Sequence, residues 1–337
     1  MLYITTRDNY DAHTAYKTLS SDTAQDGGLY IPFQMPVFEL EELLNLKSMS
    51  FAAIVANILN RFFSAGLTAW SVECAIGRNC TKVKHLGQKI VVLEPWHNPK
   101  RTYAYLEDSL YSLIGNEKRE AHSTPTNWVK IAIRIAVLFG TYSQLLAECI
   151  LRSDEMFHIS VRTGECVDLA AIWYAREMGL PISMTLCGDS NESGIWNLVH
   201  GGELSTNDLN KAHAMGLERL THAAWGRQEC DKLLESCQKR VSYIVSEESR
   251  PLSNDIFCTV IGNDRICNVI NSVFRNYSYL IDADIALPFA AVQDYRAKTG
   301  ENRLTVLIGE NDPLLSADFI AGATGLPVEE IASAQKK

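Results

Sequence analysis

An α/β fold, a parallel sheet with helices on both of its faces, follows from three observations. Compact apolar runs stand at residues 89–95 (KIVVLEP), at 182–188 (ISMTLCG) and at 304–310 (LTVLIGE), and each reads as a buried strand. A fourth begins at His158, and a glycine turn and a helix follow it before the run at Ile182. Strand, helix and strand in that order favour parallel pairing. Between the runs, apolar residues recur at helical spacing: Val167, Ala170, Ala171, Tyr174 and Met178 make one stripe, closed by Gly179 and Pro181.

In chain order, residues 3–6 are strand-like and TRDNYDAHTAYKTLSSD reads as a turn and a short helix. Asp26, Gly27 and Gly28 make a turn before a short extended run into Pro32. Helices are expected from about Leu40 to Leu46 and from near Ser50, whereas SVECAIGRNC is ambiguous. Residues 103–114 read as helix, 116–126 as a polar loop, and a long apolar helix starts at about Trp128. Residues 208–243, 263–277 and 286–299 read as helical. Thr163 is the expected N-cap of the central helix, with Glu165 in its first turn.

The totals restrict the function. The 337 residues suffice for about two ordinary domains. A net charge of −9 argues against nucleic-acid and anionic-membrane partners, which select basic faces. No apolar stretch reads as long enough to span a bilayer, and LYITTRDNY lacks the pattern of a signal peptide, so a cytoplasmic location is expected. Nine scattered cysteines with no Cys-x-x-Cys pair read as reduced thiols, and no zinc site is expected.

The most informative feature is a contradiction. A glycine turn entering a helix N-terminus is the geometry that holds an anion. Here the turn carries anions of its own, Glu165 and Asp168.

The order of segments resembles threonine synthase, a pyridoxal-phosphate (PLP) enzyme family of the tryptophan-synthase-β-like fold (PLP fold type II). LYITTRD with DGGLYIP is similar to that family's opening signature, and LEPWHNP to the strand and His-Gly-Pro loop before its cofactor lysine. NWVKIAIRIAVLFGTYSQL resembles its Asn-Trp helix, and residues 158–181 its phosphate-cradling segment with the MGLP exit. NESGIWNLVHGGEL, YLIDADIALPFAAVQDY and LTVLIGENDP resemble its later segments, so the similarity runs end to end.

The departures weigh more. Counted on from His97 and Pro99, the position of the cofactor lysine falls on Ala104. Without that amine there is no internal aldimine and no base for the substrate's protons. Lys100 lies nearby as a substitute only if the loop were rebuilt. The family's phosphate loop aligns with Thr163, Gly164, Glu165, Cys166, Val167 and Asp168, with one glycine replaced by valine and two asparagines by acids. A phosphate about 5 Å from one carboxylate is repelled by roughly 3 kcal/mol per unit charge at an effective dielectric of about 20. The resemblance places Glu310 and Asp312 on the pyridine side, and the family's Asp-Pro-His run reads Asp282, Ala283, Asp284. The interval from Ala104 to Asn127 is short where the family has most of a small mobile domain, so that domain is expected to be largely deleted.

What the resemblance implies is therefore a degenerate, shortened homologue. The expected layout is an N-terminal region over 1–85, a remnant of the lysine region over 86–126 and a main α/β domain over 127–330. No catalytic residue, no metal and no bound PLP are expected, and the chain is read as a binding pseudoenzyme. It would self-associate over the former cleft side, and an active threonine synthase relative would be a further partner. One alternative is an active lyase that holds PLP and converts O-phosphohomoserine to threonine. Another is a metal- or amine-binding module using the acids Glu165, Asp168, Asp284, Glu310 and Asp312. Against that stands pairing of these acids with Arg162, Lys100, Arg101 or Arg134, which is the preferred reading. His97 is expected to be a loop residue packed on Trp96, with no serine or cysteine partner at a recognisable spacing. Cys166, between two acids, is not expected to form a thiolate.

Overall fold

In the central strands, alternate residues enter opposite cores. Val91 and Leu93 join one buried cluster and Ile90 and Val92 the other; Val306 and Ile308 are likewise separated from Leu307. This is the period of two of a strand covered on both sides. The computed structural model describes residues 1–8, 10–87, 89–115, 127–164, 166–191, 194–207, 211–249 and 251–334. The polar loop expected at 116–126 and the expected first-turn acid Glu165 lie outside them.

The chain opens with a small antiparallel sheet of β1 (Leu2–Thr5), β2 (His13–Thr14) and β3 (Tyr30–Pro32), with α1 (Ala15–Ser20) between the last two. Four helices follow or flank the next strands: α2 (Leu40–Asn45), α3 (Phe51–Phe63), α4 (Ala69–Ile76) and, after β4 (Lys82–Gly87) and β5 (Ile90–Glu94), α5 (Tyr103–Ile114). Then come α6 (Trp128–Ala147), β6 (Phe157–Arg162), α7 (Val167–Glu177), β7 (Ile182–Asp189) and α8 (Gly194–Gly201). A short hairpin-like pair, β8 (Glu203–Leu204) and β9 (Tyr243–Ile244), brackets α9 (Lys211–Trp225) and α10 (Arg227–Lys239). The chain closes with β10 (Ile256–Val260), α11 (Asn263–Tyr277), α12 (Ala283–Thr299), β11 (Thr305–Ile308), α13 (Ala317–Thr324) and α14 (Val328–Ala334).

The main sheet has the order β10-β7-β6-β11-β5-β4. All its pairs are parallel except β4 with β5. One core holds side chains of α3, α5, α6 and α7; the other holds those of α11 and α12. The four strands expected from apolar runs are the four central ones. Both edges went unread. On β4, Lys82, Lys84 and His85 are exposed, as edge strands commonly are to discourage further pairing. β10 carries the run Ile256–Val260, so its signal was present.

Three local readings change. The ambiguous segment at 71–80 is largely α4, started by a capping box of Thr68 and Ser71. The helical region read at 208–243 is two helices, divided at Gly226 with φ 82°. The central helix starts at Val167, later than a Thr163 cap would place it. Gly164 (φ 40°) and Cys166 (φ 63°) both take left-handed backbone, so the turn cannot join the helix sooner. The Thr163 hydroxyl instead donates to Asp189, and its carbonyl accepts from Cys166 N at 3.0 Å.

The membrane expectation also needs correction. α6 is long and apolar enough to cross a bilayer, with mean hydropathy 1.4 over its window, but 83% of that window is buried inside the protein. A helix with core on nearly every side has the composition of a span without being one.

The opening signature turns out to be a staple between segments far apart in the chain. Asp26 accepts from the Thr5 hydroxyl at 2.6 Å and from Gly28 N at 2.8 Å. Glu218 on α9 accepts from the Thr6 hydroxyl at 2.5 Å and from Arg7 at 3.1 and 3.2 Å.

Candidate functional site

The carboxyl ends of β5, β6 and β11 meet at one rim, where α/β sheets bind ligands. Gly309, just past β11, sets the distance between two of these ends. A Cβ there would stand 2.2 Å from the Trp96 ring, so only glycine lets the buried indole lie across the chain. The 96–102 loop is bound to the segment after β11: Tyr103 N donates to the Glu310 carbonyl at 2.7 Å, and Asp312 N to the Arg101 carbonyl at 2.9 Å.

Between these ends and the turn at Gly164 lies Arg134 of α6. Its side chain is 7% exposed. Nε donates to Glu107 of α5 at 2.7 Å, Nη1 and Nη2 donate to the two carboxylate oxygens of Glu310 at 3.0 and 3.3 Å, and Nη1 also contacts Asp168. The guanidinium carbon sits 4.7 Å from the centre of the Tyr103 ring. Three carboxylates and an aromatic face thus surround one planar cation, the arrangement arginine suits and lysine does not. Lys130, one helical turn earlier, reaches Glu107 at 3.6 Å. Burial alone would lower the Arg134 pKa, but Asp168, Glu107 and Glu310 outweigh it and hold the pKa well above the ordinary value. The Glu310 carboxyl is pushed up by burial; Arg134 opposes that shift, and Asp168 and Glu107 add to it.

Thr163, Cys166 and Val167 are buried, and Gly164 is exposed at the tip of the turn. Asp168, in the first turn of α7, and Glu310, past β11, converge on Arg134. Asp312 does not join them: it takes Arg101 in a two-pronged pair at 2.6 and 2.9 Å and caps Leu314 N at 2.9 Å. Asp284 pairs with Arg162 at 2.6 Å. Ala104 is exposed in the first turn of α5, while Tyr103 and Glu107 of the same helix are buried in the cluster. Lys100 is exposed. His97 stacks beside Trp96, with ring centres 6.3 Å apart, but its polar contact is Glu94 at 2.6 Å. Among the described residues, no group of three His, Cys, Asp or Glu could hold a metal ion.

Glu107, Tyr103 and Lys130 were not singled out from the sequence. A signal existed: an arginine inside IAIRIAVLF must be paired if that helix is buried.

Asp282 caps α12, accepting from Ile285 N at 3.1 Å. Burial, helped by Asp284, raises its carboxyl to about 7, against the pull of nearby backbone N–H groups. A pKa raised on folding gives stability that is complete below the unfolded value of about 4 and is lost as pH rises through about 7. Asp282→Asn keeps the cap and removes the titration. The variant should match the parent in unfolding free energy, read from urea titration, at pH 4 and exceed it by on the order of 2–4 kcal/mol at pH 8. An equal difference at both pH values would contradict the assignment.

Residues 2–78 match the family model described as "Threonine synthase N terminus". Over 181 residues the chain is 23% identical to the threonine synthase of Pseudomonas aeruginosa, a stretch covering 50% of this chain and 38% of that protein. The aligned stretch thus spans well under half of that relative. In fold, the chain is similar to PLP-bound threonine synthase from Brucella melitensis, with TM-score 0.79 and 17% identity over 100% of this chain and 95% of that one. The yeast threonine synthase gives 0.77 and 14% over 98% and 94%, and the Escherichia coli protein 0.71 and 13% over 99% and 94%. The chain is threonine-synthase-like: its N-terminal segment matches that family's model, and its whole length takes the family's fold.

Proposed function

We propose that this chain has lost PLP anchoring and catalysis and acts by binding, as a pseudoenzyme built on a threonine synthase frame. The observation that carries the reading is the buried Arg134 cluster, in which the acids at the turn and past β11 are satisfied by the protein's own cation. PLP does not fit these residues. Its phosphate would meet Asp168 at the helix entrance, and no lysine stands at the aligned position, where Ala104 is exposed. The amine of Lys130 is already salt-bridged to Glu107. The same pairing speaks against the metal- or amine-binding alternative, because Glu310, Asp168, Asp284 and Asp312 each have an arginine partner. The partners proposed are a second copy of the chain and an active threonine synthase relative.

The test is direct. Purified protein with added PLP should develop no aldimine absorbance, and borohydride should trap no lysyl adduct. A stable yellow holoprotein, or a trapped lysine in a peptide map, would overturn the reading in favour of an active lyase. Light scattering should show self-association; a monomer at micromolar concentration would remove that part.

A further inference from the structure

The 96–102 loop holds a second polar arrangement that the Arg134 cluster does not use. Glu94 ends β5 with its side chain nearly buried. Its Oε1 accepts from the Tyr279 hydroxyl at 2.6 Å, and its Oε2 stands 2.6 Å from Nε2 of His97. An ionised carboxylate only accepts, so the network assigns the His97 proton to Nε2. The other ring nitrogen, Nδ1, is an acceptor in that tautomer and becomes a donor only when the ring takes a second proton, which a bound anion beside it would favour. The His97 side chain is 29% exposed and lines an open cleft with Asn79, Lys82, Asn98, Arg101 and the carboxylate of Asp312.

The cleft wall is rigid. Asn98 ties the loop across itself, its amide donating to the Thr102 carbonyl at 2.8 Å and its carbonyl accepting from Lys100 N at 3.2 Å. Arg101 is held at φ 59°, a conformation a side chain rarely adopts unless its surroundings enforce it. Asp312 enforces it here, and engages two of the five guanidinium donors. On the facing edge strand, Lys82 is the register partner of Glu94. Lys82 is exposed, and among the described residues no ion pair occupies it. In a chain of net charge −9, three cationic or cation-capable groups share this cleft with one carboxylate, Asp312, which Arg101 already pairs.

We propose that this cleft binds a small oxyanion, a phosphoryl or carboxylate group, received by the Lys82 ammonium and the outer edge of Arg101, with His97 carrying a proton on both ring nitrogens in the complex so that Nε2–H serves Glu94 and Nδ1–H serves the anion. The site is separate from the cluster around Arg134 and does not depend on whether PLP binds.

The experiment is a titration of the full chain with inorganic phosphate, phosphoserine and succinate, read by long-range nitrogen NMR of the histidine rings. His97 should shift saturably in the millimolar range or below, with the change centred on Nδ1. Lys82→Gln, on an exposed edge where folding is not at stake, should weaken binding about tenfold, equivalent to 1.4 kcal/mol. His97→Gln should abolish binding while thermal unfolding confirms that the fold persists. A response to phosphate and phosphoserine identifies a phosphoryl site, and one to succinate a carboxylate site; either supports the proposal. No saturable shift with any of the three, equal shifts with chloride, or full affinity in Lys82→Gln would overturn it. Because the readout is oxyanion binding, failure here leaves the aldimine test untouched, and the reverse also holds.

Discussion

Replacing Arg134 with methionine should destabilise the protein by about 3–5 kcal/mol near neutral pH, because it leaves buried carboxylates without their counter-ion. Glu107 and Asp168 keep charge in a place where water cannot fully solvate it, and Glu310, whose pKa is already raised by burial, loses the one group that opposed the rise. The sign with pH follows. A Glu310 pKa raised above its unfolded value means stability present in acid and lost as pH rises, so the variant's deficit should be small near pH 4 and largest above pH 7. Urea midpoints at the two pH values measure it. A variant as stable as the parent at pH 7.5 would refute the cluster as the centre of the site. Arg134→Lys should recover only part of the loss, since one ammonium cannot serve three carboxylates and the Tyr103 face together.

Gly188→Ala should have a comparable effect for a different reason. An added Cβ would stand 2.1 Å from the Leu287 carbonyl oxygen and 2.5 Å from its carbon, and both are backbone atoms of α12. No rotamer change can relieve that contact, so the helix must back away from β7. Its bond from the Ser160 hydroxyl to the Pro288 carbonyl, 2.9 Å, would stretch with it. The expected cost is about 3–5 kcal/mol, above the usual range for overpacking a side chain against side chains. Gly164→Ala is the control: nothing lies within 4 Å of its added Cβ, and only the φ of +40° resists it, at roughly 1–2 kcal/mol. Equal denaturation midpoints for Gly188→Ala and the parent would show that the β7–α12 contact is looser than drawn.

The strands and helices were legible where one residue's environment is decided by its neighbours in the chain. α5 runs over Tyr103–Ile114 and α11 over Asn263–Tyr277, the spans their periodicity predicts. α3 starts after Ser50, whose hydroxyl caps Ala53 N. The central helix was placed three residues early, because a side chain that can cap says nothing about whether its backbone will. Two residues of that turn take left-handed backbone, and Thr163 is drawn to Asp189, which lies outside the segment.

The site divides the same way. Acids at a glycine turn that enters a helix, and alanine at position 104, are visible in one dimension, because each is the identity of a residue at a countable place. The partners of those acids are not. Arg134 reaches Glu107, Asp168 and Glu310 from a separate helix, and Asp312, two residues after Glu310, takes a different arginine. Spacing along a chain fixes which face of its own element a side chain occupies. Which other element meets that face depends on how helices cover the sheet, and charge pairing is decided only at that contact, over a few ångströms.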